Sequence, residues 1–242
     1  MKAPVFVTGF FIGRVFVLCS TIFGMEDIRI LFLQDGDRRW AEQAGLSYAA
    51  GYLQMARKIA LVVEVLHQRG ISKLYLPTNS IANLLRPIEQ VDGFFAAYLR
   101  IPEYTNLRLA ITLSGDFDRL PESFKPLYRE LSASSDSHPQ FELVLLLNWS
   151  LLDEIARITQ KLATDGKAAS PDNLLAYSDI PEPIDLIIRT GKRTRLSSFI
   201  PLSGQYAELY FMDILFPDIE RDDINRALDH YKHVAPTRTR GT

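Results

Sequence analysis

Apolar runs alternate with amphipathic ones along most of this chain, and that alternation most restricts what it can fold into. Ile28–Leu33, Ile71–Leu76, Leu107–Leu113, Phe141–Leu147, Ile184–Ile188 and Leu209–Met212 read as strands. Between them lie segments of helical spacing. Tyr48–Gln68 carries Tyr52, Met55, Ile59, Val62, Val63 and Leu66 on one face and stops at Gly70. Further helices are expected to open at Trp40 and Pro87, and over Glu122–Leu131, Leu151–Leu162 and Asp222–Lys232, while Thr164–Asp179 reads as a polar loop with a short helical piece. Phe141–Leu147 is apolar enough for a strand covered on both faces. The repetition predicts βαβ units, hence a single-domain α/β fold with a central parallel six-stranded sheet flanked by helices.

In such a sheet a ligand sits at the carboxyl ends of the strands. Asp35-Gly36-Asp37-Arg38-Arg39-Trp40 follows the first strand. Its Asp is a hard oxygen donor suited to Mg²⁺, and its Gly lets the backbone approach an anion closely. Asn79, Ser80, Asn83 and Arg86 follow the second strand, Ser114, Gly115 and Asp116 the third, and Asn148 the fourth. Arg189, Thr190, Gly191, Arg195, Ser197 and Ser198 follow the fifth. Planar, permanently charged guanidiniums suit phosphate oxygens. One cluster at Arg39 and Arg86 and another at Arg189 and Arg195 suggest two phosphate-bearing substrates side by side.

Composition narrows the alternatives. A net charge of −2 gives no footprint for nucleic acid, so anion binding must come from locally concentrated Arg. The single Cys19 excludes an intramolecular disulfide framework and suits a reducing cytoplasm. Neither Gly-x-x-x-x-Gly-Lys-Ser/Thr nor Gly-x-Gly-x-x-Gly occurs. The four His are scattered without ligand spacing, and Ser197 and Ser198 lack an evident His/Asp partner for a hydrolase. Phe94, Phe95 and Tyr98 read first as core, with the option of flooring an apolar tunnel. Glu208 reads as a surface carboxylate or as a second partner for metal or Arg.

Several motifs, in order, resemble the cis-prenyltransferases, typified by undecaprenyl diphosphate synthase. They are Asp35-Gly36-x-x-Arg39-Trp40-Ala41, Ser80-x-x-Asn83-x-x-Arg86-Pro87, Gly115-Asp116-x-x-x-Leu120-Pro121 and Asp185-Leu186-Ile187-Ile188-Arg189-Thr190-Gly191-x-x-x-Arg195-Leu196-Ser197, then Tyr206-x-Glu208-Leu209-Tyr210-Phe211 and Phe216-Pro217-Asp218. The resemblance implies a homodimer with an apolar cleft between sheet and helices. It implies that Asp35 binds Mg²⁺ and assists departure of an allylic diphosphate cradled by Gly36, Arg38, Arg39 and Arg86, with Asn83 beside it. By the same likeness Arg189, Arg195 and Ser197 hold the second diphosphate, and Glu208 lies near the metal.

The departures are concentrated in the phosphate cradle and the loop beside the second substrate. Chain-elongating members usually carry Gly-Asn-Gly-Arg where this chain has Gly36-Asp37-Arg38-Arg39, Gly-His where it has Gly51-Tyr52, and Ser-Thr-Glu-Asn-Trp where it has Ser80-Ile81-Ala82-Asn83-Leu84. Gly-Gly-Glu-x-Arg is replaced by Gly191-Lys192-Arg193-Thr194-Arg195, and Asn-Tyr-Gly-Gly-Arg by Asn148-Trp149-Ser150-Leu151-Leu152. These features, with Gly51-Tyr52-x-x-Met55, Ala82-Asn83-x-x-Arg86-Pro87, Ser197-Ser198-Phe199-x-Pro201-Leu202 and Tyr206-Ala207-Glu208, resemble the cyclolavandulyl and lavandulyl diphosphate synthases. That branch joins two dimethylallyl units head to middle, sometimes with ring closure. Head-to-tail elongation with isopentenyl diphosphate and a non-catalytic partner subunit are the other readings.

The catalytic domain is expected over residues 25–242, preceded by an apolar extension over 1–24. Arg14 at the middle of that extension disfavours a membrane span, and no cleavage site of signal-peptide type follows it cleanly. An arm docked on the body, or weak contact with a membrane surface, are the two expectations for it.

Overall fold

The computed structural model describes residues 28–133 and 138–235. The 1–24 extension lies outside them. Six strands form one all-parallel sheet: β1 (Ile30–Leu33), β2 (Lys73–Pro77), β3 (Leu109–Gly115), β4 (Phe141–Leu147), β5 (Leu186–Arg189) and β6 (Glu208–Phe211). The helices are α1 (Asp37–Gln43), α2 (Tyr48–Gln68), α3 (Ile88–Leu99), α4 (Lys125–Ala133), α5 (Leu151–Thr164), α6 (Pro171–Ala176) and α7 (Arg221–Val234). This is the expected single α/β domain. No helix among the described residues is long and apolar enough to cross a membrane.

Period-two alternation explains how the sheet is covered on both sides. Ile30 and Phe32 of β1 join a core with Tyr52, Met55 and Ile59 of α2, Phe95 and Tyr98 of α3, and Leu228 of α7. Leu31 and Leu33 face the other way, into a smaller cluster with Tyr75, Val144, Leu146, Trp149 and Ile187. α2 begins where Ser47 accepts a hydrogen bond from the Ala50 N–H, and the positive φ of Gly70 follows its last turn. α4 begins at Lys125, after a turn in which the Phe124 N–H donates to the Pro121 carbonyl.

The strand order is β3-β4-β2-β1-β5-β6. The chain leaves β1 toward β2 on one side and later adds β5 on the other, so a topological switch point lies beside β1. Loops diverge there at the carboxyl ends of the strands and open a crevice.

The direction of the last strand carries a functional consequence. β6 starts at Glu208, not Leu209, with Glu208 level with Leu186 and Phe211 level with Arg189. Three residues at about 3.3 Å each separate those levels. Glu208 therefore stands at the amino end of the sheet, roughly 10 Å along the strand from the level of Arg189.

Candidate active site

Asp35 emerges two residues after β1, and the start of the β5 loop fixes its backbone. The Thr190 hydroxyl accepts from the Asp35 N–H (2.9 Å) and donates to its carbonyl (3.1 Å). The Phe216 N–H donates to that same carbonyl at 3.1 Å. The carboxylate is held from two sides: Arg39 Nη2 donates to Oδ1 at 3.0 Å and Arg189 Nη2 to Oδ2 at 2.9 Å. Arg189 is nearly sealed from solvent, with 8% of its side chain exposed, whereas Asp35 keeps 34%. Gly191 makes the approach possible. Its φ is +91°, and a Cβ there would stand 2.7 Å from both Cβ and Cγ of Asp35. Gly36 turns the chain with φ +127°, where a Cβ would meet Leu215 at 2.9 Å.

These residues wall a cavity of about 490 Å³. Asp35, Gly36, Arg38, Arg39, Tyr52, Asn83, Arg86, Arg189, Ser197 and Ser198, all expected from the sequence, line it. Asn83 holds the Ser80 turn, its side-chain oxygen accepting from the Ser80 N–H at 3.1 Å. The Ser197 hydroxyl accepts from Arg189 Nη1 at 3.2 Å. Arg38 packs its guanidinium 4.8 Å from the centre of the Tyr48 ring. Neither Arg38 nor Arg86 makes an ion pair among the described residues. Two guanidiniums thus hold Asp35, and two remain for anions.

Two expected residues are not brought to the cavity. The side chain of Arg195 is exposed, and only its backbone carbonyl takes part, accepting from Arg189 Nη1. The loop turns outward through left-handed conformations at Lys192 (φ 57°) and Ser197 (φ 57°), which non-glycine residues rarely adopt. Glu208 is kept away by its strand register, at the amino end of the sheet within one chain. Among the described residues no group of three or more His, Cys, Asp or Glu is positioned to hold a metal.

The inner end is aromatic. Phe94 lines the cavity and packs edge-on against Tyr52 (5.4 Å) and Tyr98 (5.0 Å). Tyr98 and Phe95 are core residues behind that wall. Gln34 braces it, donating to the Pro77 carbonyl at 2.6 Å and to the Tyr98 hydroxyl. On the far side Phe199 lines the cavity and stacks on buried Trp149.

Sequence reasoning did not single out Asp37, Glu42, Gln34 or Phe199 as site residues, although each lines the cavity. Asp37 stands out. Its Oδ1 is shielded from solvent and has no hydrogen-bond partner. Burial and then the charge of Asp35 push its carboxyl up to about 7, against a hydrogen bond from its own backbone and the pull of Arg86 and Arg39. Burial likewise raises the Tyr52 phenol, with Arg86 and Arg38 pulling it down.

The family model described as undecaprenyl diphosphate synthase, a prenyltransferase family, matches residues 33–238. The chain belongs to the cis-prenyltransferase family. This prenyltransferase is 30% identical over 218 residues to the isoprenyl transferase of Zymomonas mobilis, a match covering 84% of this chain and 87% of that one. The isoprenyl transferase of Aquifex aeolicus is also 30% identical, over 211 residues, with 84% and 91% covered. The lavandulyl diphosphate synthase of Lavandula x intermedia, solved in complex with dimethylallyl diphosphate, shares its fold with a TM-score of 0.76 at 22% identity. That likeness covers 86% of this prenyltransferase and 96% of the plant chain. The cavity of the prenyltransferase is therefore its candidate active site.

Proposed function

We propose that this prenyltransferase condenses two dimethylallyl diphosphates head to middle, giving a branched or cyclic C10 diphosphate of lavandulyl type. The observation that carries this reading is the aromatic wall of the cavity. Tyr52 and Phe94 line this space of about 490 Å³ and pack edge-on at 5.4 Å, a bulky apolar wall that suits short prenyl units better than a long chain. Arg38 and Arg86, free of ion pairs, suit the donor diphosphate, with Gly36 and Asn83 beside them. Ser197, Ser198 and Arg39 border the space left for a second diphosphate.

Mg²⁺ fits a wall that carries Asp35 and Asp37, because this ion is commonly held by one or two carboxylates plus substrate phosphates. When bound it would offset charge growing on the leaving diphosphate. Asp35, oriented by Arg39 and Arg189, would be one of the groups that hold it. The remaining cavity wall then sets what the cation meets: aromatic faces and the double bond of a second prenyl unit. A proton leaves at the end, to a diphosphate oxygen or a serine hydroxyl.

We further propose a homodimer that uses the outer side of edge strand β6, where Ile200, Tyr206 and Leu209 are exposed large apolar residues. A second reading, head-to-tail elongation with isopentenyl diphosphate, is favoured by the isoprenyl transferase names of the relatives. Incubating the purified chain with Mg²⁺ and dimethylallyl diphosphate alone separates the two. A branched C10 diphosphate supports head-to-middle coupling. Product that forms only when isopentenyl diphosphate is added overturns it in favour of elongation.

A further inference from the structure

Both oxygens of Asp35 are engaged by guanidiniums, so that carboxylate alone is a modest cation ligand. Two residues further on, at the first position of α1, Asp37 lines the same cavity. Its Oδ1 is sealed from solvent, without a hydrogen-bond donor, and no Arg or Lys forms an ion pair with it among the described residues. A buried carboxylate oxygen in that state is costly unless something outside the polypeptide satisfies it. The carboxylate of Asp35, on the same cavity wall, adds a second negative group beside it. A cation would answer both.

The charge balance of the wall points the same way. Arg38, Arg39, Arg86 and Arg189 share the wall with Asp35, Asp37 and Glu42, so much of the positive charge is offset by carboxylates before any diphosphate arrives. Two diphosphates side by side need more positive charge than that remainder.

We infer that Asp37 is a second protein ligand, with Asp35, for the divalent cation that accompanies the diphosphate in this cavity. The inference extends the proposed function by assigning a metal ligand, but it does not depend on which prenyl product forms. Its test therefore omits prenyl substrates.

The probe is Mn²⁺ titrated into the full chain with inorganic pyrophosphate, free Mn²⁺ being read by its paramagnetic resonance signal. Wild type is expected to bind Mn²⁺, and Asp37→Asn, which keeps the side-chain volume, to bind it about tenfold or more weakly. Metal-free pyrophosphate binding of the variant, measured by calorimetry, should be retained or tighter because a negative charge is gone. That arm also reports that the variant is folded. Unchanged Mn²⁺ affinity in Asp37→Asn overturns the assignment. So does an equal loss of Mn²⁺ and metal-free pyrophosphate binding, which would make Asp37 a structural prop, and so does absence of Mn²⁺ binding by wild type. None of these outcomes bears on the coupling reaction, which the product assay with dimethylallyl diphosphate decides separately.

Discussion

Arg189, at the end of β5, donates to the carboxylate of Asp35 across 2.9 Å, joining the two sides of the sheet's switch point. The pair is asymmetric. Arg189 is buried and Asp35 reaches into the cavity, so the guanidinium acts as a fixed mount for an exposed acid. Asp35→Ala is expected to lower kcat by about 10²–10³, the usual cost of losing one preorganised electrostatic group, with a much smaller change in KM. Steady-state kinetics with Mg²⁺ checks this, and equal losses in kcat and substrate binding would remove the proposed role. The variant also leaves Arg189 unpaired, so a drop in Tm should accompany the kinetic loss.

Arg86 differs from Arg189 because no carboxylate occupies it. A diphosphate is charged before and after ionisation, so this guanidinium contributes largely uniform binding. Arg86→Met is expected to reduce kcat/KM for dimethylallyl diphosphate by roughly 10–100-fold, mostly through KM, since hydrogen bonds to charged groups are worth about 1.5–3 kcal/mol. A kcat loss at unchanged KM would instead make Arg86 a transition-state group.

Phe94 is both core residue and cavity wall, packed edge-on between Tyr52 and Tyr98. Phe94→Leu should cost about 1–2 kcal/mol, short of the roughly 3–5 kcal/mol of full truncation. The space gained lies at the apolar end. The ratio of kcat/KM for geranyl over dimethylallyl diphosphate should therefore rise severalfold, and an unchanged ratio would show that the wall does not limit donor length.

The parts of this fold legible in the sequence are those set by local pattern. Tyr48–Gln68 and Phe141–Leu147 have the bounds that their periodicity and apolar content predict. Asp35 and Gly36 are legible because a strand followed by Asp-Gly already dictates a turn at the sheet's edge. Strand direction and loop path are not legible in a single segment. Glu208 precedes or opens the last strand in either assignment, and it lies at the amino end of the sheet because that strand runs parallel to the others, a pairing its own segment does not signal. Arg195 is displaced by left-handed backbone at Lys192 and Ser197, residue types that do not advertise it. Asp37 was visible as a departure from the family pattern, but its unpartnered oxygen arises only from packing between α1 and its surroundings.

Glu154 offers a pH test away from the active site. It is fully buried in α5, its Oε1 accepting from the Ser178 hydroxyl and the Asp179 N–H, both at 2.7 Å, while Oε2 has no partner. Burial raises its carboxyl above the usual 4.5, and the charge of Asp179 adds to this, against those two hydrogen bonds and Arg157. An acid whose folded value lies above its unfolded one favours the fold when protonated. Its stabilising contribution is therefore complete below the unfolded value and is lost as pH rises through the folded one. Gln at this position keeps an acceptor for Ser178 and Asp179 and cannot ionise. Glu154→Gln is thus expected to gain Tm relative to wild type as pH rises from 4 to 8, with the smallest difference at the acid end. A Tm difference independent of pH would mean that Glu154 stays equally charged in the folded and unfolded chains.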